Sequence, residues 1–493
     1  MSELKRDGGV SITQQIVDGF VEAIESGALD PGEKLPTTRA LAAEAGVNHL
    51  TAARAYRRLA ELGYVTAAVG RGTFVRSLPP GTTDDEGDDW QVYALPDRPP
   101  THSEQIMADA FRLAAEPDVI SLNIGWPSPK LFPTEELAEI AAEVFREEPA
   151  SAIGYGTAEG IPELREQIAE LGRASGFASH ADEIVVTSGA RQAIDITCRA
   201  LIEPGDVAVI ESPTFMGLLT SLRVAGAHVI GVPSDEDGFD VGALERVLAR
   251  HEVQLVALQT ASQNPTGQDL VPERRERLAQ LAIERNFFVV EDGVYAAIRF
   301  DSERPPPLRA AAPGHVIYID SISKIVGGGL RVGWLAARGP VRDRLAAMKL
   351  ESDFHTATLT QHVAARFMAS GGWERHLERA LPFYKERRDA ALAALEKHLP
   401  GEYEVHRPPG GHHLWVTLRR PVDERALYAE AVRQGVTFTP GSATRVERAA
   451  STDIRISFGM VDPDEIDEGL RRLARALREV RRGSRLPATV PVS

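Results

Sequence analysis

Cysteine is almost absent from this sequence, since Cys198 is the single one among 493 residues. This excludes an intramolecular disulfide and any cysteine-based metal cluster. Because Cys198 lies inside an apolar helical pattern, and free cysteine is among the most buried residue types, we expect it to pack in a core.

Long hydrophobic runs and an excess of positive charge are also missing. No stretch approaches the roughly 18 apolar residues that cross a bilayer, and the first residues, MSELKRDGGV, lack the apolar core of a secretory signal. We therefore expect a cytoplasmic protein without membrane contact. The formal net charge of −16 argues against bulk electrostatic coating of nucleic acid, so any DNA contact must come from a local basic face.

The chain is too long for one ordinary core and shows one clear joint. Around residues 79–100 it reads PPGTTDDEGDDWQVYALPDRPP, rich in proline, glycine and acid and without helix or strand periodicity. The sequence thus predicts an N-terminal domain over 1–78, a solvated acidic linker over 79–104, a large domain over 105–485 with a smaller C-terminal subdomain from about 385, and a tail over 486–493.

The N-terminal block has the outline of a winged helix. Ile12, Ile16, Phe20 and Ile24 recur every four positions, which predicts a first helix. TTRALAAEAGV and NHLTAARAYRRLAELG then predict two capped helices joined by a tight turn, and YVTAAVGRGTFV predicts a small hairpin. Helix, helix-turn-helix and hairpin is an arrangement used to bind DNA.

This block resembles the DNA-binding domain of the GntR family, most specifically in PGEKLPTTRALA and GRGTFV. The resemblance implies that the start of the third helix enters the major groove, and that the wing reaches the adjacent backbone. His49 stands where many relatives carry arginine, which leaves the target sequence open. The alternative to DNA contact is that the arginines of the third helix belong to an ordinary solvent-exposed helix surface. The implied DNA-contacting residues are Thr37, Arg39, Asn48, His49, Thr51, Arg54 and Arg71.

After about residue 105, short runs rich in valine and isoleucine alternate with helical segments. The runs are EIVVTSG, DVAVIESP, HVIGVPSD, VQLVALQT, FFVVEDG and HVIYIDS. Continuous apolar strands of this kind are typical of a mostly parallel sheet covered by helices on both faces, the α/β class. In such sheets ligands bind beyond the carboxyl ends of the strands.

Polar and reactive residues follow five of these runs, and several of them together describe a phosphate site. The segment from Ser188 through Gly189 to Ala190 opens a helix, whose free amide groups attract anions. Ser321 and Ser323 add hydroxyl donors, and Arg331 adds a planar fork suited to phosphate oxygens.

The remaining strand-end residues predict an aldehyde-bearing aromatic ligand. Lys324 can condense with an aldehyde, and Asp292 can hold a proton on a ring nitrogen. Asn264 and Tyr295 can bond a phenolate oxygen, and Phe215 can stack on a flat ring. Each residue alone has a commonplace surface or capping explanation. Together they specify pyridoxal 5′-phosphate with Lys324 as the catalytic lysine.

The block from about residue 105 to 480 resembles the fold-type I aminotransferases. The similarity lies in YGTAEGIPELREQIA, TSGARQAI, ESPTF, QNPTG, EDGVY and the stretch SISK through LRVGW. The resemblance implies a mostly parallel seven-stranded sheet and a smaller C-terminal α/β subdomain. Joined to the N-terminal domain, and with PPGGHHLWVTL at residues 408–418, the whole chain closely resembles the MocR group of GntR regulators.

The family resemblance implies further residues. Tyr155 matches a tyrosine that reaches the cofactor phosphate of a neighbouring subunit, which implies a homodimer. Arg455 matches an arginine that grips the α-carboxylate of an amino acid, and Gly125 and Trp126 match a loop closing over that substrate. From the residues alone, Arg455 is equally well a member of a structural ion pair.

The histidine pair at 412–413 is a weak metal candidate. Consecutive side chains in a strand point to opposite faces, so we expect packed or exposed imidazoles and no metal site.

Three functional hypotheses follow. The first is a transcription regulator whose aminotransferase-like domain binds an amino acid or amine effector by imine exchange at Lys324 and alters operator binding. The second is a working aminotransferase that forms 2-oxo acids. The third is a sensor of pyridoxal phosphate itself, for which Arg455 would be dispensable.

Overall fold

A computed structural model describes residues 11–25, 28–29, 32–62, 64–68, 72–75, 106–109, 112–113, 116–447 and 451–483. The chain divides into two compact units, Met1–Pro100 and Thr101–Ser493. The predicted linker over 79–104 and the predicted tail over 486–493 lie outside the described residues.

The first unit has the predicted winged-helix outline. Thr37 caps the second helix by accepting a hydrogen bond from the Ala40 amide, and Asn48 caps the third by accepting one from the Leu50 amide at 2.9 Å. Its elements are α1 (Ile12–Glu25), α2 (Thr38–Glu44), α3 (His49–Glu61) and an antiparallel hairpin of β1 (Val65–Ala68) and β2 (Gly72–Val75).

One face of each helix in the first unit packs into a common core. Ile16, Phe20 and Ile24 of α1 are buried, as the four-residue spacing predicts, and meet Ala55 and Leu59 of α3. The opposite face of α3, with Leu50, Arg54 and Arg57, is exposed.

The second unit is built on a large sheet, and each of the six runs rich in valine and isoleucine forms one of its strands. The sheet order is β4-β11-β10-β9-β8-β5-β6-β7. The strands introduced here are β3 (Ile120–Ser121), β4 (Ile184–Thr187), β5 (Val207–Ser212), β6 (His228–Asp235), β7 (Gly238–Phe239), β8 (Val253–Leu258), β9 (Phe288–Asp292), β10 (Val316–Ser321) and β11 (Gly333–Ala336).

The sheet is mostly parallel, as predicted, with one strand more than the expected seven. β10, β9, β8, β5 and β6 run parallel in sequence, whereas β11 is antiparallel to both its neighbours. The additional strand β7 pairs with β6 over two residues only. A two-residue edge strand leaves no periodic pattern, so the sequence could not reveal it.

Helices cover both faces of this sheet. Ile184 and Val186 of β4 enter one apolar cluster while Val185 enters another, because successive side chains of a strand point to opposite faces. The helices of this part are α4 (Thr134–Glu147), α5 (Pro149–Ile153), α6 (Pro162–Ser175), α7 (Ala190–Leu201), α8 (Met216–Val224), α9 (Val241–Leu248), α10 (Pro272–Arg285), α11 (Pro340–Asp353), α12 (Thr358–Ala369) and α13 (Gly372–His398).

A smaller α/β layer follows at the C-terminal end. The long helix α13 runs through residue 385, where the sequence pattern placed the start of this subdomain. A four-stranded sheet has the order β12-β13-β16-β15, and β14 pairs in parallel with β3. Its elements are β12 (Tyr403–Val405), β13 (His413–Leu418), α14 (Glu424–Arg433), β14 (Val436–Thr437), β15 (Thr439–Pro440), β16 (Asp453–Ser457) and α15 (Pro463–Gly483).

One strand pairing in the second unit bears on the site. The pairing of β3 with β14 ties the segment before Gly125 to the smaller layer, and so holds that segment beside the cavity described next. Across the described ranges, no helix combines the length and the apolar character needed to cross a membrane. Cys198 is buried, as predicted.

Candidate active site

Lys324 lies immediately beyond β10, in a short turn over Ile322–Lys324 that the Ser321 side chain caps. Its Nζ donates a hydrogen bond to the carbonyl oxygen of Gly125 at 3.0 Å and lies 5.8 Å from the centre of the Tyr295 ring. Burial lowers the pKa of the Lys324 amine to about 8, helped by the positive charges of Arg455 and Arg331. An amine with this pKa is partly neutral near pH 8, the form that attacks carbonyl carbons.

Lys324 lines a cavity of about 160 Å³. A space of this size holds one six-membered aromatic ring. Strand ends of the large sheet supply much of its wall, as the sequence pattern predicts. The predicted residues that line it are Ala190, Phe215, Asn264, Asp292, Tyr295, Ser321, Ser323, Lys324 and Arg331, and the others are Arg191, Ile194, Gln259 and Val294.

One end of the cavity has the features of an anion site. The helix α7 begins at Ala190 after Gly189, whose φ of 87° suits glycine. A Cβ at Gly189 would lie 2.5 Å from Nη2 of Arg331, and that nitrogen donates to the Ser188 carbonyl at 2.7 Å. The Ser323 hydroxyl is buried and has no hydrogen-bond partner among the described residues. A helix N-terminus, a guanidinium and an unsatisfied hydroxyl thus converge, as phosphate binding requires.

The other end holds a buried carboxylate. Asp292 ends β9 and is 2% exposed. Gln259 Nε2 donates to its Oδ2 at 2.8 Å and the Val294 amide to its Oδ1 at 3.2 Å. Burial raises the pKa of Asp292 to about 6, although both hydrogen bonds act in the opposite direction. Asp292 is therefore ionised at pH 7 and can hold a proton on a ring nitrogen.

Tyr295 belongs to a buried network that sequence reasoning missed. Its hydroxyl lies 3.0 Å from Nε2 of His413, whose Nδ1 lies 3.0 Å from the Ser457 hydroxyl. Burial raises the pKa of the Tyr295 phenol well above its ordinary value and lowers that of His413 well below. Both groups are therefore neutral, and the phenol remains a hydrogen-bond donor.

Arg455 lies in β16 and is 6% exposed. Its Nη1 donates to Asn264 Oδ1 at 2.8 Å and its Nη2 donates to the carbonyl oxygen of Asn123, while its Nε has no partner in the described parts of the chain. Within those parts, no carboxylate forms an ion pair with this guanidinium, so the structural ion pair considered above is not observed there. Burial lowers the pKa of Arg455 to about 10. Because a buried charge is costly unless it is paired, an anionic ligand would stabilise this guanidinium.

The four residues implied by the aminotransferase resemblance, Arg455 included, lie outside the cavity wall. Gly125 reaches Lys324 through its carbonyl, and Trp126 is 42% exposed. Tyr155 is 94% exposed, and its ring packs edge-on against His355 with centroids 5.6 Å apart. Ile153, 79% exposed, lies on the same segment.

Among the predicted DNA-contacting residues, Arg39, His49 and Arg54 are exposed and Thr51 is half-buried. Thr37 and Asn48 are also exposed, and their side-chain oxygens cap α2 and α3. Arg71 lies outside the described residues.

Two glutamines and the histidine pair are the main residues that the strand-end argument did not include. The amide oxygen of Gln259 accepts from the Asn264 backbone at 2.7 Å, so Gln259 joins Asn264 to Asp292. Gln263 donates to the Pro213 carbonyl at 2.9 Å and so holds the loop after β5. Their position in the sequence could have identified them, because QTASQ, which begins with Gln259 and ends with Gln263, follows β8 directly. Of the two environments expected for the histidine pair, packed or exposed, the structure shows the first, because His412 and His413 are both buried.

The fold and the site together define a class of protein that fuses a winged helix to an aminotransferase-type domain. The chain belongs to the family of aminotransferases class I and II, whose profile matches residues 117–473, and it carries the domain of the bacterial regulatory proteins of the gntR family over residues 12–75. This domain combination is that of the MocR-type regulators.

Relatives of both kinds are found. The chain is 28% identical to the probable rhizopine catabolism regulatory protein MocR of Rhizobium meliloti, over 99% of this chain and 98% of that protein. It is 35% identical to aromatic-amino-acid aminotransferase 1 of Thermococcus litoralis, over 75% of this chain and 91% of the relative. The crystal structure of LysN, an alpha-aminoadipate aminotransferase from Thermus thermophilus, matches with a TM-score of 0.73 and 32% identity, over 80% of this chain and 99% of its own.

Pyridoxal phosphate is the cofactor of this family, and the LysN crystals contain N-(5′-phosphopyridoxyl)-L-leucine. The residues of the present chain fit that group. The unsatisfied Ser323 hydroxyl and the space that a Cβ at Gly189 would fill suit a phosphate, and the ring-sized cavity ends at the Asp292 carboxylate. When bound, the cofactor supplies an aldehyde that condenses with primary amines.

The pKa of Lys324 predicts how cofactor uptake depends on pH. Because only the neutral amine attacks, we expect the uptake rate of cofactor-free protein to rise about tenfold per pH unit below pH 8 and to level off above it. Stopped-flow absorbance with pyridoxal phosphate between pH 6 and 10 measures this. Nα-acetyl-lysine, whose side-chain amine has an ordinary pKa, is the control, and its rate of reaction with pyridoxal phosphate should continue to rise up to about pH 10. A protein profile that follows this control would contradict the lowered pKa.

Proposed function

We propose that this chain is a pyridoxal-phosphate-dependent transcription regulator that binds operator DNA and an amino acid or amine effector. The observation that carries the proposal is a buried Arg455 without a carboxylate partner in the described parts of the chain, beside the Lys324 amine and joined to Asn264. A gntR domain in the same chain supports a regulatory use of that site. Acting on bacterial DNA, the protein would work in the cytoplasm.

Each residue has a defined part in this proposal. The N-terminus of α7, Ser323 and Arg331 hold the phosphate, and Asp292 holds the proton on the ring nitrogen. Phe215 faces the ring, and Arg455 receives the carboxylate of the effector. When an effector amine takes the place of the Lys324 amine, Lys324 is released as a free amine. The free amine is the form that donates to the Gly125 carbonyl at 3.0 Å, so its release would restore this hydrogen bond and change what holds the Gly125–Trp126 segment. The effector thereby binds two states differently, as regulation requires.

The test uses the full-length protein loaded with pyridoxal phosphate. A selection from random DNA duplexes should yield a defined sequence, and a panel of amino acids and amines should include one that both shifts the visible spectrum and changes the affinity for that duplex. An α-keto acid lacking the amine is the control. Failure to select any duplex, or a spectral shift that never alters DNA affinity, would refute a regulatory role.

We further propose that the protein acts as a homodimer in which Tyr155 contacts the cofactor phosphate of the partner. The support is the 94% exposure of an aromatic side chain beside Ile153, at 79%, and the 68% exposure of Phe354. Exposed aromatic and aliphatic side chains of this kind mark interaction surfaces. Sedimentation of the holoprotein at micromolar concentration should give the mass of two chains, and a monomer would contradict this.

A working aminotransferase is the second candidate, since the site has both the lysine and the arginine that such an enzyme needs, and the Thermococcus litoralis relative is named an aromatic-amino-acid aminotransferase. The two functions are separated by turnover. Sustained formation of a 2-oxo acid over many cycles, with an amino donor and acceptor, would establish the enzyme. One spectral change with product no greater than the amount of protein would favour the regulator.

A further inference from the structure

We propose that Leu50, at the start of α3, reads the methyl group of a thymine in the major groove. The inference rests on the proposed DNA-binding function and adds a specificity-determining residue to it. Leu50 is 63% exposed, the most exposed of the large hydrophobic side chains recorded for the described part of the first unit, where Leu62 is 44% exposed.

The position of Leu50 on α3 rules out a role in the core of this unit. At about 100° per residue, Leu50 lies about 180° around the helix from Leu59, which is fully buried together with Ala52 and Ala55. Leu50 therefore faces away from the packed side of α3. Contact with water is unfavourable for an apolar side chain, and a partner that covers Leu50 would lower the free energy.

The charges beside Leu50 indicate the chemistry of that partner. Arg54 and Arg57 follow at four and seven positions, within about 60° of arc on the same face, and both are exposed. Neither forms an ion pair with any residue that the structure describes in this unit. This combination suits a DNA duplex. The two guanidinium groups can contact phosphates, and Leu50 can contact the thymine methyl, the apolar group that the major groove offers.

The polar residues next to Leu50 are already engaged. The Oδ1 atom of Asn48 accepts from the Leu50 amide at 2.9 Å, and Nε2 of His49 lies 3.4 Å from the Thr38 hydroxyl. In helix-turn-helix proteins the first residues of the second helix of the motif meet the base edges. Leu50 is thus the large apolar side chain that this first turn presents to solvent, and a methyl group is what it can recognise.

The experiment starts from the duplex that the full-length holoprotein selects. Each thymine is replaced in turn by deoxyuridine, which lacks only the methyl group, and affinity is measured for the native protein, Leu50→Ala and the matched control Leu62→Ala. For one thymine in each half-site we expect native affinity to fall about fourfold, the value of one methyl removed from water. Leu62→Ala should keep this loss, and Leu50→Ala should bind both duplexes equally.

The outcomes separate the two proposals. If a duplex is selected but deoxyuridine has no effect at any position, or if Leu50→Ala keeps the full fourfold difference, the role of Leu50 is refuted while DNA binding stands. If no duplex is selected, the proposed function fails and the role of Leu50 fails with it. Circular dichroism checks folding, which we expect to be intact because alanine favours the helix and the leucine contributes nothing to the core.

Discussion

Replacement of Lys324 by alanine should eliminate the visible absorbance of covalently held cofactor and the response to every effector. In the proposed function the amine that donates to Gly125 is the nucleophile of this cavity, and alanine has no nitrogen to replace it. The α7 N-terminus and Arg331 remain, so some pyridoxal phosphate should still bind reversibly. Absorbance spectroscopy, followed by borohydride reduction and peptide mapping, measures the loss.

Two further variants control this experiment. Lys324→Arg keeps the positive charge but stays protonated, because the guanidinium pKa exceeds about 12, and should fail like the alanine variant. Lys397→Ala removes a lysine that is 63% exposed and paired with Asp467, and should leave the spectrum unchanged. If reduction attached the cofactor to another lysine in the native protein, the assignment of Lys324 would be wrong.

Replacement of Arg455 by methionine should weaken the binding of carboxylate-bearing effectors by at least about 30-fold. Loss of one member of a buried, hydrogen-bonded charge pair costs about 2–5 kcal/mol, and the lower value corresponds to about 30-fold. Cofactor uptake should change little, since Lys324, Asp292 and the phosphate end of the cavity are kept. Titration calorimetry with the effector and absorbance with pyridoxal phosphate measure the two affinities separately.

Thermal stability distinguishes this role of Arg455 from a structural one. In the absence of effector the methionine variant should melt no lower than the native protein, because a buried cation without a carboxylate partner is costly and an apolar group of similar volume is not. Arg419→Met, which changes an arginine that is 55% exposed near Glu404, should leave effector binding intact. A normal response of the Arg455 variant would favour a sensor of pyridoxal phosphate itself.

Parts of the fold that depend on local pattern could be predicted from the sequence. The four-residue spacing of Ile16, Phe20 and Ile24 predicted α1 and its buried face, and the runs of valine and isoleucine predicted the strands of the large sheet. The strand β11, GWLA, escaped that reading because it is short and contains no β-branched residue. The edge strand β7 escaped it because two residues carry no period.

The candidate site could be predicted where residues follow strands directly. Lys324 follows β10, Asp292 ends β9 and Ser188 follows β4. These three strands run in the same direction, β4 being separated from β10 by the antiparallel β11, so their carboxyl ends lie at one edge of the sheet. Gln259 obeys the same rule but was passed over, since an amide suggests no chemistry by itself. His413 could not be assigned, because its contact with Tyr295 joins residues 118 positions apart.

By itself the sequence determined the order of the two domains, the class of the large sheet and the residue types that a phosphate-bearing aldehyde needs. Only the tertiary structure decided that Arg455 is buried without a carboxylate partner in the described chain, that Gln259 and His413 support Asp292 and Tyr295, and that Leu50 faces solvent. The physical reason is that periodicity encodes which face of an element is apolar, whereas pairing, desolvation and the resulting pKa values depend on residues that are far apart in the chain and meet only when it folds.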